Sequence, residues 1–254
     1  MSGRSKAFFI NGGAGRVLCS IPALERYAED SGDKDFVIVC ESGMDFYRGH
    51  PTLHKHAFEV WHKNLFESHL KDKDVFSPEP YRVNEYFNQK CSLAQGFDIL
   101  INELNEPRVL PHPEINLNKE ELVKGFQTIQ EIKSGTKKDK ILVIQPFGRS
   151  VQQVGPAVYD ATSRSLESAN VVEIIQQLRK EYGIIVMTQV PIDIPEDKDH
   201  TIAVPKEQNL RLWAAMIYNA DHFLGCDSLG QHIAKALNKT ATVVIGSTYP
   251  INIS

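Results

Sequence analysis

The sequence lacks the cysteine patterns that mark two common classes of small domain. Its four cysteines, Cys19, Cys40, Cys91 and Cys226, are scattered along 254 residues without a CxxC pair or another metal-ligand spacing. A disulfide framework and a cysteine-held zinc site are therefore not expected. Small buried thiols in a reducing compartment fit this distribution better.

Long apolar runs and an excess of basic residues are also missing. No stretch is long enough to span a membrane, and the apolar run at the start, in MSGRSKAFFI, is too short for a signal peptide. The formal net charge is -4, which gives a general nucleic-acid-binding role no electrostatic support. We therefore expect a cytoplasmic protein with no transmembrane segment and no nucleic-acid partner.

Histidines are frequent in one part of the chain, but their spacing does not suit a metal. They share no metal-ligand spacing on a predicted helix face. They are His50, His54, His56, His62 and His69. We interpret them as scattered surface histidines and expect neither a metal nor a cofactor.

What the sequence does have is an alternation of strand-length apolar runs and helical periodicity. Residues 7–10 predict a strand, 11–15 form a glycine-rich turn, and 16–30 predict a helix. Strand, glycine turn and helix open a doubly wound α/β domain. A dinucleotide-binding interpretation is possible but weak, because Leu18 stands where GxGxxG has its third glycine.

The second half of the chain repeats this alternation after a proline-containing linker at residues 105–118. Apolar runs predict strands at residues 141–145, 184–188, 201–204, 222–226 and 242–245. Helices are predicted at 166–182 and 210–218, whereas 151–163 is polar and reads as irregular. We therefore predict an N-terminal domain at 1–110, a linker with a helix at 111–138, and a C-terminal domain at 139–254.

The junction between the strand at 222–226 and the helix that follows is a candidate anion site. Asp227 and Ser228 are good N-cap residues, and the strand predicted at 242–245 has the β-branched, apolar composition of a buried strand. A helix that starts directly after a strand points unpaired N–H groups out of the sheet edge. Gly230 would let a diphosphate approach that turn closely. The alternative is an ordinary βαβ unit whose cap only satisfies itself.

Residues 220–250 resemble the C-terminal signature of family 9 glycosyltransferases, the heptosyltransferase-like group with the two-domain GT-B fold. The matching residues are Asp227, Ser228, His232, Ala234, Ala236, Leu237, Gly246, Thr248 and Pro250. The pattern departs at Leu229 and Gly230, since the family usually has its glycine one position earlier. A second block resembles the N-terminal signature through Gly15, Val17, Leu18, Ile21, Pro22, Ala23 and Leu24.

This resemblance implies an α/β protein with two Rossmann-like doubly wound domains and shortened C-terminal helices, because family members continue beyond the last loop. It implies inverting, metal-independent transfer of a sugar from a nucleotide sugar, as substrate, to a hydroxyl of a glycan or lipopolysaccharide acceptor. The implied donor-binding residues are Arg149, Arg164, Asp227, Ser228, Leu229, Gly230 and His232. The implied acceptor-side loop contains Gly13, Gly15 and Arg16.

Arg16 is the main departure from the family pattern. The family has an Asp there, held to be the general base, and an arginine cannot accept a proton. Glu41 or Asp45 is a substitute carboxylate if the protein is active. Otherwise it is a catalytically degenerate GT-B-like protein that binds a ligand or partner, a view also favoured by Gln189 and Val190 in place of a family glycine pair.

Two further interpretations of these residues stay open. Arg16 could hold an anion at the helix start, or it could be a solvated surface arginine. A dinucleotide-dependent oxidoreductase is a distant third function, in which Glu41 would hold a ribose.

Overall fold

The computed structural model describes residues 4–155, 157–192, 194, 202–205 and 209–253. The chain divides into two compact units. The first consists of Met1–Asn116 together with Tyr249–Ser254, and the second of Leu117–Thr248.

The first unit is built on a parallel sheet with the strand order β3-β2-β1-β4. Its strands are β1 (Lys6–Ile10), β2 (Val37–Cys40), β3 (Ala57–Glu59) and β4 (Asp74–Phe76). Its α-helices are α1 (Ala14–Asp30), α2 (Asn84–Phe87), α3 (Leu93–Ile101) and, after the second unit, α8 (Pro250–Ile253). Short turns of 3₁₀ or π helix lie at Met44–Tyr47, Leu53–His56, Phe66–Leu70 and Pro80–Arg82.

Helix α1 forms because its apolar residues recur on one face. Val17, Leu18, Ile21 and Leu24 are fully buried there, and α1 packs against α3. Helix α3 begins at a capping box, in which Ser92 and Gln95 satisfy each other's backbone N–H groups. The chain runs outward from β1 to β3 and then returns to place β4 on the other side of β1.

The second unit contains a five-stranded parallel sheet with the order β11-β10-β5-β8-β9. Its strands are β5 (Lys140–Gln145), β8 (Tyr182–Val186), β9 (Ile202–Ala203), β10 (His222–Cys226) and β11 (Ala241–Val244). Its helices are α4 (Lys119–Thr136), α5 (Ser168–Leu178), α6 (Leu210–Asn219) and α7 (Leu229–Ala236).

In this unit too the strand order reverses beside the first strand of the sheet. The chain runs from β5 outward to β8 and β9, and then returns to place β10 and β11 on the other side of β5. The reversal makes the carboxyl ends of β5 and β10 a topological switch point, where open α/β sheets bind their ligands. The corresponding point of the first sheet lies between β1 and β4.

Three sequence-based predictions about elements in this unit were wrong. Residues 151–163 are not irregular throughout, because β6 (Val151–Val154) and β7 (Ala157–Asp160) pair as an antiparallel hairpin. The strand expected to be buried, β11, lies at the sheet edge with most of its residues exposed. The helix predicted to reach Tyr182 ends at Leu178, and Tyr182 begins β8.

The other strands and helices that the sequence analysis predicted lie within a few residues of their predicted positions, whereas β4 was not predicted. One predicted strand, at residues 201–204, overlaps β9, although residue 201 lies outside the described residues. Across the described ranges, every helix is too short or too polar to cross a lipid bilayer.

Candidate functional site

Four loops of the second unit come together at the carboxyl edge of its sheet. They comprise residues 146–150 after β5, 161–165 after β7, 227–228 before α7 and 245–248 after β11. A Cβ atom added to Gly148 would lie 3.8 Å from Ser165 Oγ, 3.8 Å from Ser228 Oγ and 3.9 Å from Asp160 Oδ2. Side chains from separate loops are therefore neighbours at the topological switch point.

Asp227 ties these loops together from the inside. It is buried, and its carboxylate accepts hydrogen bonds from Gln231 Nε2 at 2.8 Å and from Thr248 Oγ1 at 2.5 Å. Its backbone carbonyl accepts a bond from Arg164 Nη1 at 3.4 Å, and the same nitrogen lies 4.0 Å from Oδ2. Asp227 therefore holds the loop after β11 and Arg164 in place.

Arg164 is the cation of this edge. Its side chain is 31% exposed, so part of the guanidinium faces outward. Its Nε donates to Thr162 Oγ1 at 3.2 Å, while Nη1 is directed at Asp227. A guanidinium fixed on one side and open on the other is suited to a phosphate.

Asp160, the last residue of β7, organises the loop that carries Arg164. Oδ1 accepts from the backbone N and the Oγ1 of Thr162 at 2.8 and 2.6 Å. Oδ2 accepts from the backbone N and the Oγ of Ser165 at 3.0 and 2.5 Å. Burial alone would raise the pKa of Asp160, but these bonds outweigh it and lower the pKa to about 2. In the sequence, Asp160 is only one acidic residue in a polar stretch and carries no other signal.

The start of helix α7 is capped by a residue that the sequence analysis missed. Ser228 is the N-cap, but its side chain caps no backbone amide. Instead Gln145, at the end of the neighbouring strand β5, accepts from the Gly230 amide at 2.7 Å through Oε1. Its Nε2 lies 3.3 Å from Ser228 Oγ and 3.2 Å from the Phe147 carbonyl, and donates to both.

The predicted reason for a glycine at position 230 is wrong. A Cβ there would lie 2.3 Å from Gln145 Oε1 and 2.4 Å from the Phe223 ring, so the space is filled by protein. Gly230 is required for packing and does not open the turn to a ligand. In the described part of the chain, the backbone N–H groups of Ser228 and Leu229 find no acceptor, so this helix start retains two donors.

His232 lies one turn into α7 and is half-buried. Burial lowers its pKa to about 4; the negative charge of Asp227 opposes this shift, whereas Lys235 and Arg164 add to it. The imidazole is therefore neutral at pH 7 and adds no positive charge to the edge. Arg149 lies on the loop after β5, where its side chain is exposed.

In the first unit, Arg16 is not a solvated surface arginine. Its side chain is only 14% exposed and forms an ion pair with Glu79, Nη1 to Oε1, at 3.1 Å. It also donates to the Pro78 carbonyl at 3.2 Å and lies over the rings of Tyr81 and Phe97. The solvated-surface interpretation of Arg16 is therefore wrong, and an anion-binding role stays a prediction, with Glu79 now paired to the guanidinium.

Glu79 follows β4 and lies at the switch point of the first sheet, beside the glycine turn after β1. Its side chain is 42% exposed and pairs with Arg16. The two carboxylates suggested by the sequence have other partners: Glu41 accepts from the Gly12 amide at 2.7 Å, and Asp45 pairs with Arg48 at 2.9 Å. The available signal for Glu79 was a carboxylate three residues after a strand.

Gly13 is the N-cap of α1, and Gly15 is the second residue of that helix. No group of three or more His, Cys, Asp or Glu side chains in the described ranges could hold a metal ion. The interpretation of His50 and His56 as surface histidines is wrong, because both are buried, where His50 bonds to Glu25 and His56 to the Phe36 carbonyl. All four cysteines are buried free thiols.

The protein resembles known proteins in structure but not detectably in overall sequence. No protein-family model matches the sequence, and no curated protein matches it significantly. E. coli ADP-heptose lipopolysaccharide heptosyltransferase II is similar with a TM-score of 0.69 at 11% identity, over 98% of this chain and 86% of that one. The family 9 glycosyl transferase from Veillonella parvula DSM 2008 has a TM-score of 0.65 at 12% identity, over 98% and 83%. E. coli heptosyltransferase WaaC with ADP has a TM-score of 0.57 at 11% identity, over 97% and 88%.

The protein has the fold of family 9 glycosyltransferases. The resemblance inferred from the two sequence blocks is therefore confirmed for the fold, and so is the α/β class with parallel sheets. At these identities the family 9 fold says nothing by itself about substrate or activity.

Proposed function

We propose that the protein is a glycosyltransferase that moves a sugar from a nucleotide-sugar donor to a hydroxyl acceptor of glycan or lipopolysaccharide type. The observation that carries this is the cationic edge of the second unit. There the half-exposed Arg164 guanidinium and the open amides of Ser228 and Leu229 lie at the switch point. These groups suit the diphosphate of a donor.

The ligands of similar solved structures suggest which nucleotide-sugar donors to test first. WaaC was solved with ADP, and TibC in complex with ADP-D-beta-D-heptose. Both share the fold of this chain, with TM-scores of 0.57 and 0.56. ADP and an ADP-linked heptose are therefore the first ligands to test, with UDP and GDP as alternatives.

The leaving diphosphate accumulates negative charge as the bond to the sugar breaks. Arg164 and the two amides would stabilise that charge, so the mechanism that we propose uses no metal and no cofactor. Asp227 would act indirectly, since both of its carboxylate oxygens are engaged by Gln231 and Thr248.

Transfer to a hydroxyl also needs a group that accepts its proton. Arg16 cannot do so, but the exposed carboxylate of Glu79 lies at the switch point of the first sheet, held by Arg16. In the proposed step the hydroxyl proton passes to a carboxylate base and the acceptor oxygen bonds to the anomeric carbon. The bond from that carbon to the diphosphate breaks, and the nucleoside diphosphate leaves.

The second candidate is a degenerate family 9 fold that binds a nucleotide or partner without chemistry. The replacement of a carboxylate by Arg16, which is packed and neutralised, favours it. The two candidates share the diphosphate site and differ in turnover alone.

Calorimetric titration with ADP, UDP and GDP tests the shared site. We expect one of them to bind, and Arg164→Met to weaken its binding about tenfold or more, as loss of a charged hydrogen bond does. Arg179→Met is the matched control, because Arg179 follows the C-terminus of α5, whose next strand starts at the opposite edge of the sheet. No binding by wild type would reject the transferase and the degenerate protein that binds a nucleotide.

A turnover assay with ADP-heptose and candidate glycan acceptors then separates the two functions. Release of ADP that depends on the acceptor supports the transferase. Binding of donor without release at any pH supports the degenerate protein.

A further inference from the structure

The loop that carries Arg164 begins at an acidic residue, Asp160, which lies near the proposed phosphate site. Asp160 lies close to the edge, since a Cβ at Gly148 would be 3.9 Å from its Oδ2. A free carboxylate there would repel a diphosphate. Its oxygens, however, already accept four hydrogen bonds from Thr162 and Ser165, which hold the carboxylate turned into the loop.

These bonds fix the direction of the Thr162 hydroxyl. A threonine hydroxyl has one proton, and an ionised carboxylate can only accept, so Thr162 Oγ1 donates to Asp160 Oδ1 at 2.6 Å. Its lone pairs are then left for the N–H of Arg164 Nε at 3.2 Å. The chain of bonds runs from Arg164 through Thr162 to Asp160.

Ser165 extends the same arrangement to the loop after β5. Its hydroxyl donates to Asp160 Oδ2 at 2.5 Å and accepts from the Gly148 amide at 2.9 Å. One carboxylate therefore sets the position of two loops and, through Thr162, of the Nε side of Arg164.

We propose that Asp160 is a positioning residue, which through Thr162 fixes the direction in which Arg164 presents its guanidinium to a phosphate. This inference rests on the proposed function and adds to it a residue that does not touch the ligand. Orientation fixed before binding lowers the entropic cost of holding a long side chain.

The direction in which one substitution changes ADP affinity distinguishes a positioning role from a purely electrostatic one. Asp160→Asn removes a negative charge near the site, so electrostatics alone predicts tighter binding of ADP. Positioning predicts weaker binding, by about tenfold, because an amide nitrogen cannot accept the bonds from one of the two loop residues. Glu167→Gln, on an exposed residue just before α5, removes the same charge and is the matched control, with ADP affinity unchanged.

Thr162 supplies the second test. Thr162→Val keeps the shape and removes the hydroxyl, and we expect it to weaken ADP binding about as much as Asp160→Asn. Thr162→Ser retains the hydroxyl and should restore affinity to within about twofold. Equal affinity of wild type and Thr162→Val, or tighter ADP binding by Asp160→Asn, would overturn the proposal.

A measurement without ligand keeps this inference separate from the proposed function. The Nε–H of Arg164, assigned in NMR spectra by its loss in Arg164→Lys, should exchange slowly in wild type and in Thr162→Ser. It should exchange fast in Asp160→Asn and Thr162→Val. If wild type binds no nucleotide, the proposed function falls, and fast exchange of this proton in wild type would reject the network itself.

Discussion

Gln145 donates through Nε2 to Ser228 Oγ and accepts from the amide of Gly230 through Oε1. A residue at the end of β5 therefore caps α7, the helix that follows the neighbouring strand β10. Gln145→Leu removes these two bonds and the one to the Phe147 carbonyl, and leaves the buried Gly230 amide without its acceptor. We expect a loss of about 1–3 kcal/mol in the free energy of unfolding. Urea denaturation measures it, and Gln145→Glu, which keeps the acceptor, should lose less.

Gly230→Ala tests the packing argument for that glycine. The new methyl would lie 2.3 Å from Gln145 Oε1 and 2.4 Å from the Phe223 ring, so one of them must move. We expect destabilisation of about 1–3 kcal/mol, as for overpacked cores. Gly135→Ala in α4 is the control, because nothing lies within 4 Å of its added Cβ, and it should stabilise by up to about 1 kcal/mol. An unchanged melting temperature for Gly230→Ala would contradict the packing argument.

Glu79→Gln tests the proposed proton acceptor. We expect the rate of sugar transfer to fall by about 10²- to 10⁴-fold, while ADP affinity stays that of wild type, because a general base contacts the acceptor hydroxyl and not the diphosphate. Asp45→Asn, which breaks a local pair with Arg48, is the control and should keep its rate. Full activity of Glu79→Gln would exclude Glu79 as the base.

Asp160 should also make stability depend on pH. Its pKa is lowered from 3.8 to about 2 in the folded protein, so the folded state binds fewer protons than the unfolded chain in that range. The stabilisation is complete above about pH 4 and is lost as the pH falls through about 2. For this partly exposed group it amounts to about 1 kcal/mol after allowance for solvent screening. Urea titrations of wild type and Asp160→Asn at pH 6, 4 and 3 should therefore converge towards the acid end, and a constant difference would argue against the ionised network.

The sequence predicted the elements whose side chains face a core. Strands β5 and β10 are largely buried, and buried strands are apolar. Their apolar runs could therefore be recognised in the sequence. The β6–β7 hairpin was missed because its strands are mostly exposed and polar, which leaves no apolar face to recognise. Burial of β11 was overestimated, because composition does not tell an edge strand from a central one.

The sequence predicted only those residues of the candidate site that belong to loops resembling the family pattern. Asp227, Ser228 and Arg164 lie at the carboxyl edge where the family resemblance put them, and their roles toward a donor stay predictions. Glu79 and Gln145 were missed because their partners are distant along the chain: Arg16 pairs with a residue 63 positions away, and Gln145 with one 85 positions away. That two such residues are neighbours can be inferred only when the strand order is known.

The last described residues of the chain belong to the first unit. Asn252, buried in α8, donates through Nδ2 to the carbonyls of Tyr86 and Cys91 at 3.1 and 2.9 Å. During synthesis, Asn252 leaves the ribosome after all of residues 117–248. The first unit therefore gains these two hydrogen bonds only once the second unit has been translated.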